Sequence, residues 1–361
     1  MVTHAVTKTD SAANEWAIQD DVVHLREWGT DMAHGLPPLP TLGWTVGADE
    51  TCGLRIEDPS RLVSRQHARL VWGGNKWLLC DGDSKNGLRL DGARRSEIIL
   101  EPGLEIGIGG VTLIAESRLS IALRGFLARL LGWGSDRIAI VDHALRAVRM
   151  AAARRAALVL CGDGDLVPTA RSIHRHARGA DRPFILCDPR RGRAKETVRA
   201  AENYTTGIEA LGAATGGSLC VRAHRLPRDF HDLIDVMRAP SSQVQLIACA
   251  TSSTDCAIYR VMPIEIPDLS ARDAEIDRVI AEYAEDARRE LQIPPPGFVE
   301  ADHAWVREHA TTLPEIEKAT LRLVALRASR NLTNAAARLG MAPVSLSRWI
   351  GRRKLPMKLA H

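Results

Sequence analysis

Residues 157–174 read ALVLCGDGDLVPTARSIH. An apolar run typical of a buried strand, ALVL, leads into a turn that contains Gly162 and Gly164, and a helix-like segment follows. A strand, a glycine turn and a helix in this order are typical of a loop that binds phosphate groups, in which a lysine contacts the phosphates. This stretch has no lysine. We therefore expect an α/β layer built around a phosphate-type loop that lacks its cation.

The α/β layer extends over the middle of the chain. From about residue 118 the sequence takes on the Ala, Arg and Leu periodicity of helices, and helix-like segments alternate with strands of buried type. We expect these strands at residues 156–161, 183–187, 218–221 and 244–250. Strands that alternate with helices favour a parallel sheet. After Pro267 the pattern predicts helices only, interrupted by PPPG at 294–297.

The part of the chain before residue 118 has a different sequence pattern. Short strand-like runs are separated by turns rich in Gly, Asp and Asn. These runs read GWTVG, GLRI, ARLVW, KWLLCD, LRLDG, EIIL, LEIGIGG and VTLIAES. Several short strands at such spacing predict an all-β sandwich.

Length and composition limit the classes of protein that this chain can represent. With 361 residues and 45% hydrophobic content, it can form two or three domains with ordinary buried cores. It has no N-terminal apolar segment and no run of about 18 apolar residues, so we expect a cytoplasmic protein that does not cross a membrane. The seven cysteines occur singly among apolar residues, which predicts reduced core residues and neither disulfides nor a metal site.

The charge is distributed unevenly. The formal net charge of the chain is +4, but residues 313–361 contain ten Lys and Arg against two Glu, a balance of +8 that leaves −4 for the rest. A basic segment of this kind is a candidate for nucleic-acid binding. We therefore expect the C-terminal part, and not the remainder, to contact DNA.

Three motifs in the N-terminal part belong together. Residues 46–70, VGADETCGLRIEDPSRLVSRQHARL, contain SRQH; residues 76–95, KWLLCDGDSKNGLRLDGARR, contain SKNG; and LEPGLEIGIGG follows at 100–110. This set resembles the forkhead-associated (FHA) domain, a family that binds phosphothreonine peptides on the loops at one end of a β sandwich. The resemblance implies a phosphothreonine protein or kinase substrate as partner. It places these residues in the phosphopeptide site: Arg61, Ser64, Arg65, Lys85 and Asn86.

The chemistry of these side chains suits a phosphopeptide. The hydroxyl of Ser64 and a cation such as Arg65 can donate charge-assisted hydrogen bonds to phosphate, and the amide of Asn86 can pair with a peptide backbone. We expect His67 to be structural and to hold the loop in place.

One position departs from the family pattern. Ala48 follows Gly47, where the family usually has an arginine that contacts the phosphate. Losing one charged donor costs about 1.5–3 kcal/mol, enough to weaken binding tenfold or more. Arg65, Lys85, Arg61 or Arg55 can compensate for this loss. The alternative is an intact interaction or dimerisation module that binds no phosphate, and the sequence does not decide whether Ala48 abolishes phosphate binding.

The middle of the chain contains three landmarks in a fixed order. They are ALVLCGDGD with TARSIHRHARGADRPFIL, then GGSLCVRAHRLPRDFHDLI at 216–234, then VQLIACAT at 244–251. Together they resemble the AAA+ ATPase domain, a P-loop NTPase-like fold, of bacterial enhancer-binding proteins that activate the sigma-54 RNA polymerase. The match runs from Ala156 to about Leu269.

The catalytic residues of that family are missing. The position of the phosphate-loop lysine falls on Leu166, and Arg222 and Ala223 stand where an aspartate would hold Mg²⁺ and a glutamate would orient water. The family's sigma-54-contacting loop is also absent. The resemblance therefore implies a pseudo-ATPase with no catalytic residue and no cofactor. The residues of this degenerate nucleotide loop are Gly162, Gly164, Leu166, Arg222 and Ala223, which we expect to serve packing.

The last fifty residues resemble the Fis-type helix-turn-helix that ends most enhancer-binding proteins. The match lies in NLTNAAARLGMAPVSLSRWIGRRKL, preceded by a helix whose Ile316, Leu323, Val324 and Leu326 can form a core or a dimer seam. The resemblance implies a dimer, or a higher oligomer, on double-stranded DNA with an inverted-repeat operator. The expected DNA-contacting residues are Arg338, Val344, Ser345, Ser347, Arg348, Arg352, Arg353 and Lys354.

These observations predict a multidomain chain with six segments. They are an N-terminal tail at 1–20, the FHA sandwich at 21–118, a linker helix at 119–142, a degenerate AAA+ α/β domain at 143–268, a reduced helical lid at 269–312, and the all-α helix-turn-helix at 313–361. The function expected from them is transcriptional regulation through DNA, with a phosphothreonine input and without ATP hydrolysis. Two alternatives are an ATP-dependent sigma-54 activator and a phosphopeptide-binding adaptor.

Overall fold

The computed structural model describes residues 20–37, 43–239, 241–353 and 355, and the chain divides into two compact units. Unit 1 comprises the chain up to Ala128 together with Trp133–Arg154. Unit 2 comprises Arg129–Gly132 together with the chain from Arg155 onwards.

The described residues of unit 1 form eleven strands in two sheets. The first sheet has the order β2-β1-β11-β10-β7-β8, and the second has the order β4-β3-β5-β6-β9. The strands are β1 Val22–Glu27, β2 Ala33–Gly35, β3 Trp44–Gly47, β4 Leu54–Arg55, β5 Ala68–Gly73, β6 Lys76–Asp81, β7 Leu88–Leu90, β8 Ala93–Arg95, β9 Glu97–Ile99, β10 Glu105–Ile108 and β11 Val111–Ser117. The β sandwich expected from the sequence is therefore present.

The core of the sandwich lies between the two sheets. Alternate residues along a strand point to opposite faces, so Ala68 and Leu70 on β5 and Leu79 on β6 are buried at 0–2% exposure, whereas Arg69 is exposed. Ile106 and Leu113 of the other sheet complete the same cluster. Burial of this alternating set sets the register, because a one-residue slip would turn each strand inside out.

Two helices follow the sandwich. The segment 119–142, expected as one linker helix, instead contains α1 Arg118–Leu131, a break at Gly132, where φ is +119°, and the start of α2 Ile138–Arg154. A positive φ is accessible to glycine and ends the helix there. Helix α2 belongs to unit 1, so this unit reaches residue 154 and includes residues that the sequence assigned to the α/β part.

Helix α2 is attached to the sandwich by charged groups. Arg26 of β1 is 1% exposed, and its guanidinium lies 2.7 Å from Asp142 of α2 and 2.7 Å from Glu116 of β11. Farther along α2, Arg149 donates hydrogen bonds to the carbonyl oxygens of Pro102 and Gly103. A buried guanidinium needs such partners, because an uncompensated charge in the interior is costly.

Unit 2 begins with a six-stranded parallel sheet in the order β14-β13-β15-β16-β12-β17. The strands are β12 Leu158–Cys161, β13 Phe184–Cys187, β14 Glu202–Tyr204, β15 Ser218–Arg222, β16 Gln245–Ala250 and β17 Ile264–Glu265. The intervening helices are α3 Val167–Arg178, α4 Gly207–Ala213, α5 Phe230–Arg238 and α6 Ser253–Cys256. Every residue of β13, β15 and β16 is buried, which explains the continuous apolar runs in the sequence.

The strand order creates a crevice at one place in this sheet. The chain leaves β12 towards β13 on one side, and it leaves β16 towards β17 on the other side. Ligands of open α/β sheets bind at such a switch point, outside the carboxyl ends of the strands. The glycine turn that follows β12 lies at this end of the sheet.

The remainder of unit 2 is helical. The helices are α7 Ile276–Glu290, α8 Glu300–His309, α9 Leu313–Arg327, α10 Leu332–Arg338 and α11 Pro343–Gly351. Ile316, Leu323, Val324 and Leu326 of α9 are 0–2% exposed within the single chain, so they form a core and are not available as a dimer seam. None of the helices in the described part of the chain combines the length and the apolar character needed to span a membrane.

Candidate functional site

The loops at one end of the sandwich are tied together by backbone hydrogen bonds. The N–H groups of Ala48 and Asp49 donate to the carbonyl oxygens of Ser64 and Arg65, both at 3.1 Å. A Cβ added at Gly47 would lie 2.1 Å from the Arg65 carbonyl oxygen, so only glycine allows this close approach. The loop after β3 and the loop before β5 therefore form one rigid surface.

His67 fixes the position of Ser64. This buried imidazole accepts a hydrogen bond from the Ser64 N–H at its Nδ1, at 3.0 Å, and its Nε2 lies 3.2 Å from the Gly87 carbonyl oxygen. A neutral ring protonated at Nε2 satisfies both contacts. His67 thus joins the loop before β5 to the loop before β7, which is the structural role expected from the sequence.

Ser64 and Asn86 each keep a polar atom available. The Ser64 hydroxyl accepts a hydrogen bond from the Lys85 N–H at 3.2 Å, and its own hydrogen remains free to be donated. The Asn86 amide donates from Nδ2 to the Leu62 carbonyl oxygen at 2.7 Å, which orients the side chain and leaves its oxygen as an acceptor. A hydroxyl donor and an amide acceptor are therefore held next to each other.

Three cations lie on the same loops as this pair. Arg61, Arg65 and Lys85 are exposed, and no acidic side chain in the described part of the chain forms an ion pair with any of them. Arg55, the fourth possible substitute for the family's arginine, lies 3.9 Å from Glu50 and is partly neutralised. Ala48 packs against the sandwich core. The five residues expected in the phosphopeptide site are thus brought together on the two adjoining loops.

Asp58 braces the same loop and was not singled out from the sequence. Its carboxylate accepts hydrogen bonds from the N–H groups of Ser60, Leu62 and Val63 at 2.8–2.9 Å and of Gly110 at 3.2 Å. Partial burial alone would raise the pKa of Asp58, but the hydrogen bonds from Ser60, Leu62 and Val63 outweigh it and lower that pKa to about 2. The signal for this role was the DPS turn, since Asp commonly bonds the backbone two residues on.

At the carboxyl end of the unit 2 sheet, an ion-pair cluster fills the crevice. Arg222, at the end of β15, is 5% exposed, and its Nη2 lies 2.8 Å from Asp165 in the glycine turn. Its Nη1 lies 2.8 Å from Asp188, which follows β13 and is fully buried. Ala223 comes next in a short 3₁₀ turn and contributes no polar side chain.

The charges in this cluster compensate each other. Burial alone would raise the pKa of Asp165, but hydrogen bonds and charge from Arg222 outweigh it and hold that pKa below its usual value. Burial alone would lower the pKa of Arg222, and the hydrogen bonds with Asp165 raise it instead. The sequence places Arg222 where an aspartate would hold Mg²⁺, and in the structure this arginine is paired with two carboxylates.

The glycine turn has little free space beside it. A cavity of about 20 Å³ lies there, lined among others by Leu166, Ile266, Thr312 and Pro314. A Cβ built on Gly164 would lie 3.2 Å from the Thr312 Oγ1, and one built on Gly162 would lie 3.0 Å from the Ile266 Cβ. Such a volume holds about one water molecule, whereas pockets for drug-sized ligands measure about 300 Å³ or more. The start of α9 thus packs onto the turn.

The C-terminal helices expose the residues that the sequence predicted for DNA contact. On and around α11, Val344, Ser345, Ser347 and Arg348 are exposed, while Leu346 and Trp349 are buried. The other exposed residues of the expected set are Arg338, Arg352 and Arg353. Lys354 lies outside the described residues. Two faces of α11 are thus separated, one apolar and one available to a partner.

Packing holds α11 in place. The Trp349 ring meets the Trp305 ring of α8 edge-to-face at 5.8 Å, and the turn between α10 and α11 contains Gly340 with φ of +60°. Asn331 begins α10 by accepting a hydrogen bond from the Asn334 N–H at 2.9 Å. A separate question is whether the chain can hold a metal ion. In the described part of the chain, no group of three or more His, Cys, Asp and Glu side chains is arranged to do so.

The sandwich presents its polar residues on loops at one end, and the comparison with known families identifies it. Residues 44–109 match the family model of the FHA domain, so the chain contains an FHA domain. The match covers the strands β3 to β10 and the five residues expected in the phosphopeptide site. The resemblance of the N-terminal motifs to this family is confirmed.

Solved structures are similar to this part of the chain. A structure on phosphothreonine-dependent FHA domain interactions is 26% identical, with a TM-score of 0.24, over 26% of this chain and 95% of that one. The FhaA FHA domain complexed with the intracellular domain of Rv3910 is 27% identical, with a TM-score of 0.23, over 25% and 96%. The Mycobacterium tuberculosis Rv1747 FHA-1 is 26% identical, with a TM-score of 0.24, over 27% and 97%. Among curated proteins, none matches the chain.

Proposed function

We propose that this protein is a DNA-binding transcriptional regulator that recognises a phosphothreonine-containing partner through its FHA domain and works without ATP hydrolysis. The observation that carries the proposal is the loop cluster of unit 1, where Arg61, Arg65 and Lys85 are exposed, lie on the same loops as Ser64 and Asn86 and form no ion pair with any described residue. A phosphate dianion satisfies these donors better than a neutral side chain does, because hydrogen bonds from charged donors are about twice as strong as neutral ones.

Two further features favour a phosphopeptide over a free anion. No described residue donates a hydrogen bond to the Asn86 amide oxygen, and this acceptor suits a peptide N–H. One solved neighbour concerns phosphothreonine-dependent interactions, and another is an FHA domain bound to a protein's intracellular domain. The proposed partner is thus a protein segment with a phosphothreonine.

A peptide-binding measurement tests this part. The full chain is titrated against a phosphothreonine peptide library and the unphosphorylated library, with fluorescence anisotropy as the readout. We expect binding only with phosphate, and a loss of tenfold or more for Arg65→Ala, since one charged donor contributes about 1.5–3 kcal/mol. Arg89→Ala is the matched control, because Arg89 is exposed on β7 and donates to the Gly92 carbonyl within its own hairpin. Equal binding of both libraries would contradict the proposal.

The support for DNA binding comes from the C-terminal helices. Helix α11 buries Leu346 and Trp349 and exposes Val344, Ser345, Ser347 and Arg348, the arrangement in which a recognition helix reaches base edges in the major groove. Residues 313–361 carry the excess of +8 that attracts phosphates. Inverted-repeat DNA and a dimer belong to the same proposal.

The proposed absence of ATP turnover rests on the crevice at the end of the sheet. There Arg222 is paired with Asp165 and Asp188, Leu166 stands at the lysine position, and Thr312 and Pro314 pack near the turn. A nucleotide triphosphate needs a cation for its phosphates, and here the Arg222 guanidinium is already held by two carboxylates while Leu166 supplies no charge. We propose that the α/β part is a degenerate AAA+ domain that serves as a scaffold.

Selection of genomic DNA fragments with the purified protein tests the DNA arm. We expect enrichment of a palindromic site, affinity that falls steeply as salt rises, and weakened discrimination between sites for Arg348→Ala. A protein that binds the phosphopeptide but enriches no DNA would be an adaptor, and this outcome would overturn the proposal.

A further inference from the structure

Four cations of unit 2 have no acidic partner in the described part of the chain. Arg322 of α9 is 4% exposed, and its Nε and Nη1 atoms are buried without a hydrogen-bond partner. Arg199, between β13 and β14, likewise has a buried Nε without a partner. Lys318 and Arg353 are exposed and form no ion pair with any described residue.

These cations are close in space. The guanidinium carbons of Arg322 and Arg353 lie 4.8 Å and 5.3 Å from the centre of the same Trp349 ring. Lys318 precedes Arg322 by four residues on α9, so both project from one face of that helix. The segment that carries Arg199 reaches the same region, because a Cβ built on Gly340 would lie 2.7 Å from the Thr197 Cβ.

The segment with Arg199 is itself held in a fixed conformation. Asn203 donates from its Nδ2 atom to the carbonyl oxygens of Asp188, Arg191 and Gly192 at 3.1–3.3 Å, and its backbone pairs with Ala194. Arg171 also holds it through the Val198 carbonyl oxygen at 3.0 Å. The backbone on both sides of Arg199 is therefore held in place by these hydrogen bonds.

The electrostatic consequence is mutual repulsion. Burial, together with the charges of Arg199 and Arg353, lowers the pKa of Arg322 to about 10. Partial burial of its ammonium group and the charges of Arg322, Arg199 and Arg353 also lower the pKa of Lys318. A buried guanidinium with unmatched donors is costly unless an anion compensates it, and the stacking on Trp349 supplies only part of that compensation.

We propose that Arg199, Lys318 and Arg322, with Arg353 at the rim, form a binding site for a phosphate-type oxyanion, either free phosphate or the phosphate group of a small phosphorylated metabolite. Planar guanidinium groups and a lysine are the donors that proteins use for tetrahedral oxyanions. The site joins the segment before β14, helix α9 and the end of α11. Arg322 lies against Trp349 on the buried face of α11, which separates this site from the exposed face proposed to meet DNA bases.

The first measurement is thermal unfolding of the full chain in inorganic phosphate or glycerol phosphate, compared with chloride at the same ionic strength. The second is the dissociation constant of each phosphate compound, determined by calorimetry. All proteins carry Arg65→Ala, which removes a principal cation of the FHA loops. We expect phosphate to raise the midpoint of unfolding. We expect Lys318→Ala to weaken phosphate about tenfold, and Arg322→Met to abolish the shift.

Controls keep the result interpretable. Arg348→Ala, on the exposed face of α11, leaves phosphate binding unchanged. Without phosphate, Arg322→Met is at least as stable as the parent, because it removes an uncompensated buried charge. If glycerol phosphate binds more tightly than inorganic phosphate, the ligand is a phosphorylated metabolite; the reverse order indicates free phosphate. The proposal is overturned if phosphate and chloride have the same effect on the midpoint of unfolding, or if both variants keep the shift that phosphate causes. It is also overturned if Lys318→Ala weakens only the binding of duplex DNA.

Discussion

Ala48 shows how one residue changes the demands on its neighbours. The position follows Gly47 in a loop whose N–H groups bond to Ser64 and Arg65, and FHA domains usually carry an arginine there. Here the methyl group packs against the core, and the cationic character of the site comes from Arg61, Arg65 and Lys85. The substitution removes one donor to phosphate while leaving the loop framework intact.

Restoring that donor is expected to increase affinity. Ala48→Arg adds a charge-assisted hydrogen bond to the phosphate, so phosphothreonine peptides should bind about tenfold more tightly, which corresponds to about 1.4 kcal/mol. Anisotropy titration of one fluorescent phosphopeptide measures the change, and Ala48→Gln, of similar length without charge, is the control. An equal gain with glutamine would show that the effect comes from packing and not from charge.

Arg222 shows what residue identity alone leaves undecided. From the sequence it was a cation in place of a magnesium-binding acid. In the structure it is buried and holds Asp165 and Asp188, which lie 57 and 34 residues away along the chain. No local pattern predicts such pairing, because the partners meet only when β13, β15 and the glycine turn reach one end of the sheet.

At the scale of elements, helix α9 shows most clearly that neighbouring elements can bury a helix whose sequence pattern predicts an exposed face. Its sequence is amphipathic in the manner of a surface or dimer helix, yet residues around its whole circumference are buried. Helix α7 covers one side, and the glycine turn lies against its first residues. As a result, Glu317 is drawn into the interior, where its Oε2 atom has no hydrogen-bond partner.

Because Glu317 is buried, its ionisation lowers the stability of the folded chain, and this effect depends on pH. Burial raises the pKa of Glu317 from 4.5 to about 7, and the charge of Arg129 offsets only part of that rise. The charges of Asp286, Arg171 and Asp165 also act on the pKa of Glu317. The unfolded chain loses the Glu317 proton near pH 4.5 and the folded chain only near pH 7, so this group reduces stability as pH rises through that window and then has a constant effect.

Glu317→Gln is expected to remove that effect. The variant should resemble the parent near pH 4.5 and exceed it by about 2–4 °C or more above pH 7, because the amide cannot ionise. Thermal unfolding between pH 4.5 and pH 8.5 measures the difference. Glu209→Gln, an exposed position on α4, should show no such trend. A constant difference at all pH values would refute the assignment to Glu317 ionisation.

At the scale of the whole molecule, the chain divides where no linker composition marks a boundary. Unit 1 extends beyond the FHA sandwich because α2 supplies Asp142 to the buried Arg26, and Arg124 of α1 lies 3.4 Å from the same carboxylate. The Gly29 N–H also donates to it at 2.9 Å. Helix α2 is therefore part of the folding unit that carries the candidate phosphopeptide site.

Asp142→Ala is expected to destabilise unit 1 by about 3–5 kcal/mol, since it leaves the guanidinium of Arg26 with one buried partner fewer. Urea unfolding followed by fluorescence and circular dichroism measures the loss. Asp136→Ala, an exposed residue just before α2, should change stability by less than about 0.5 kcal/mol. If both variants behave alike, α2 does not contribute to the stability of the sandwich through this ion pair.

The sequence by itself determined the elements whose signal is local. The alternation of ARLVW and KWLLCD predicted strands β5 and β6, the SRQH and SKNG motifs predicted the FHA domain, and four apolar runs predicted β12, β13, β15 and β16. Burial on one face or on both faces of a strand leaves a pattern that can be read without coordinates. Strands β14 and β17 were not predicted, because each contains only a few residues and so shows too short a pattern.

Only the tertiary structure decided which distant groups meet. The pairing of Arg222 with two aspartates, the attachment of α2 through Arg26 and the approach of Arg199 to Arg322 each join residues far apart in the chain. The physical reason is the range of the forces involved. Hydrophobic periodicity records the burial of each residue locally, whereas the cost of a buried charge depends on partners that the fold brings within a few ångströms.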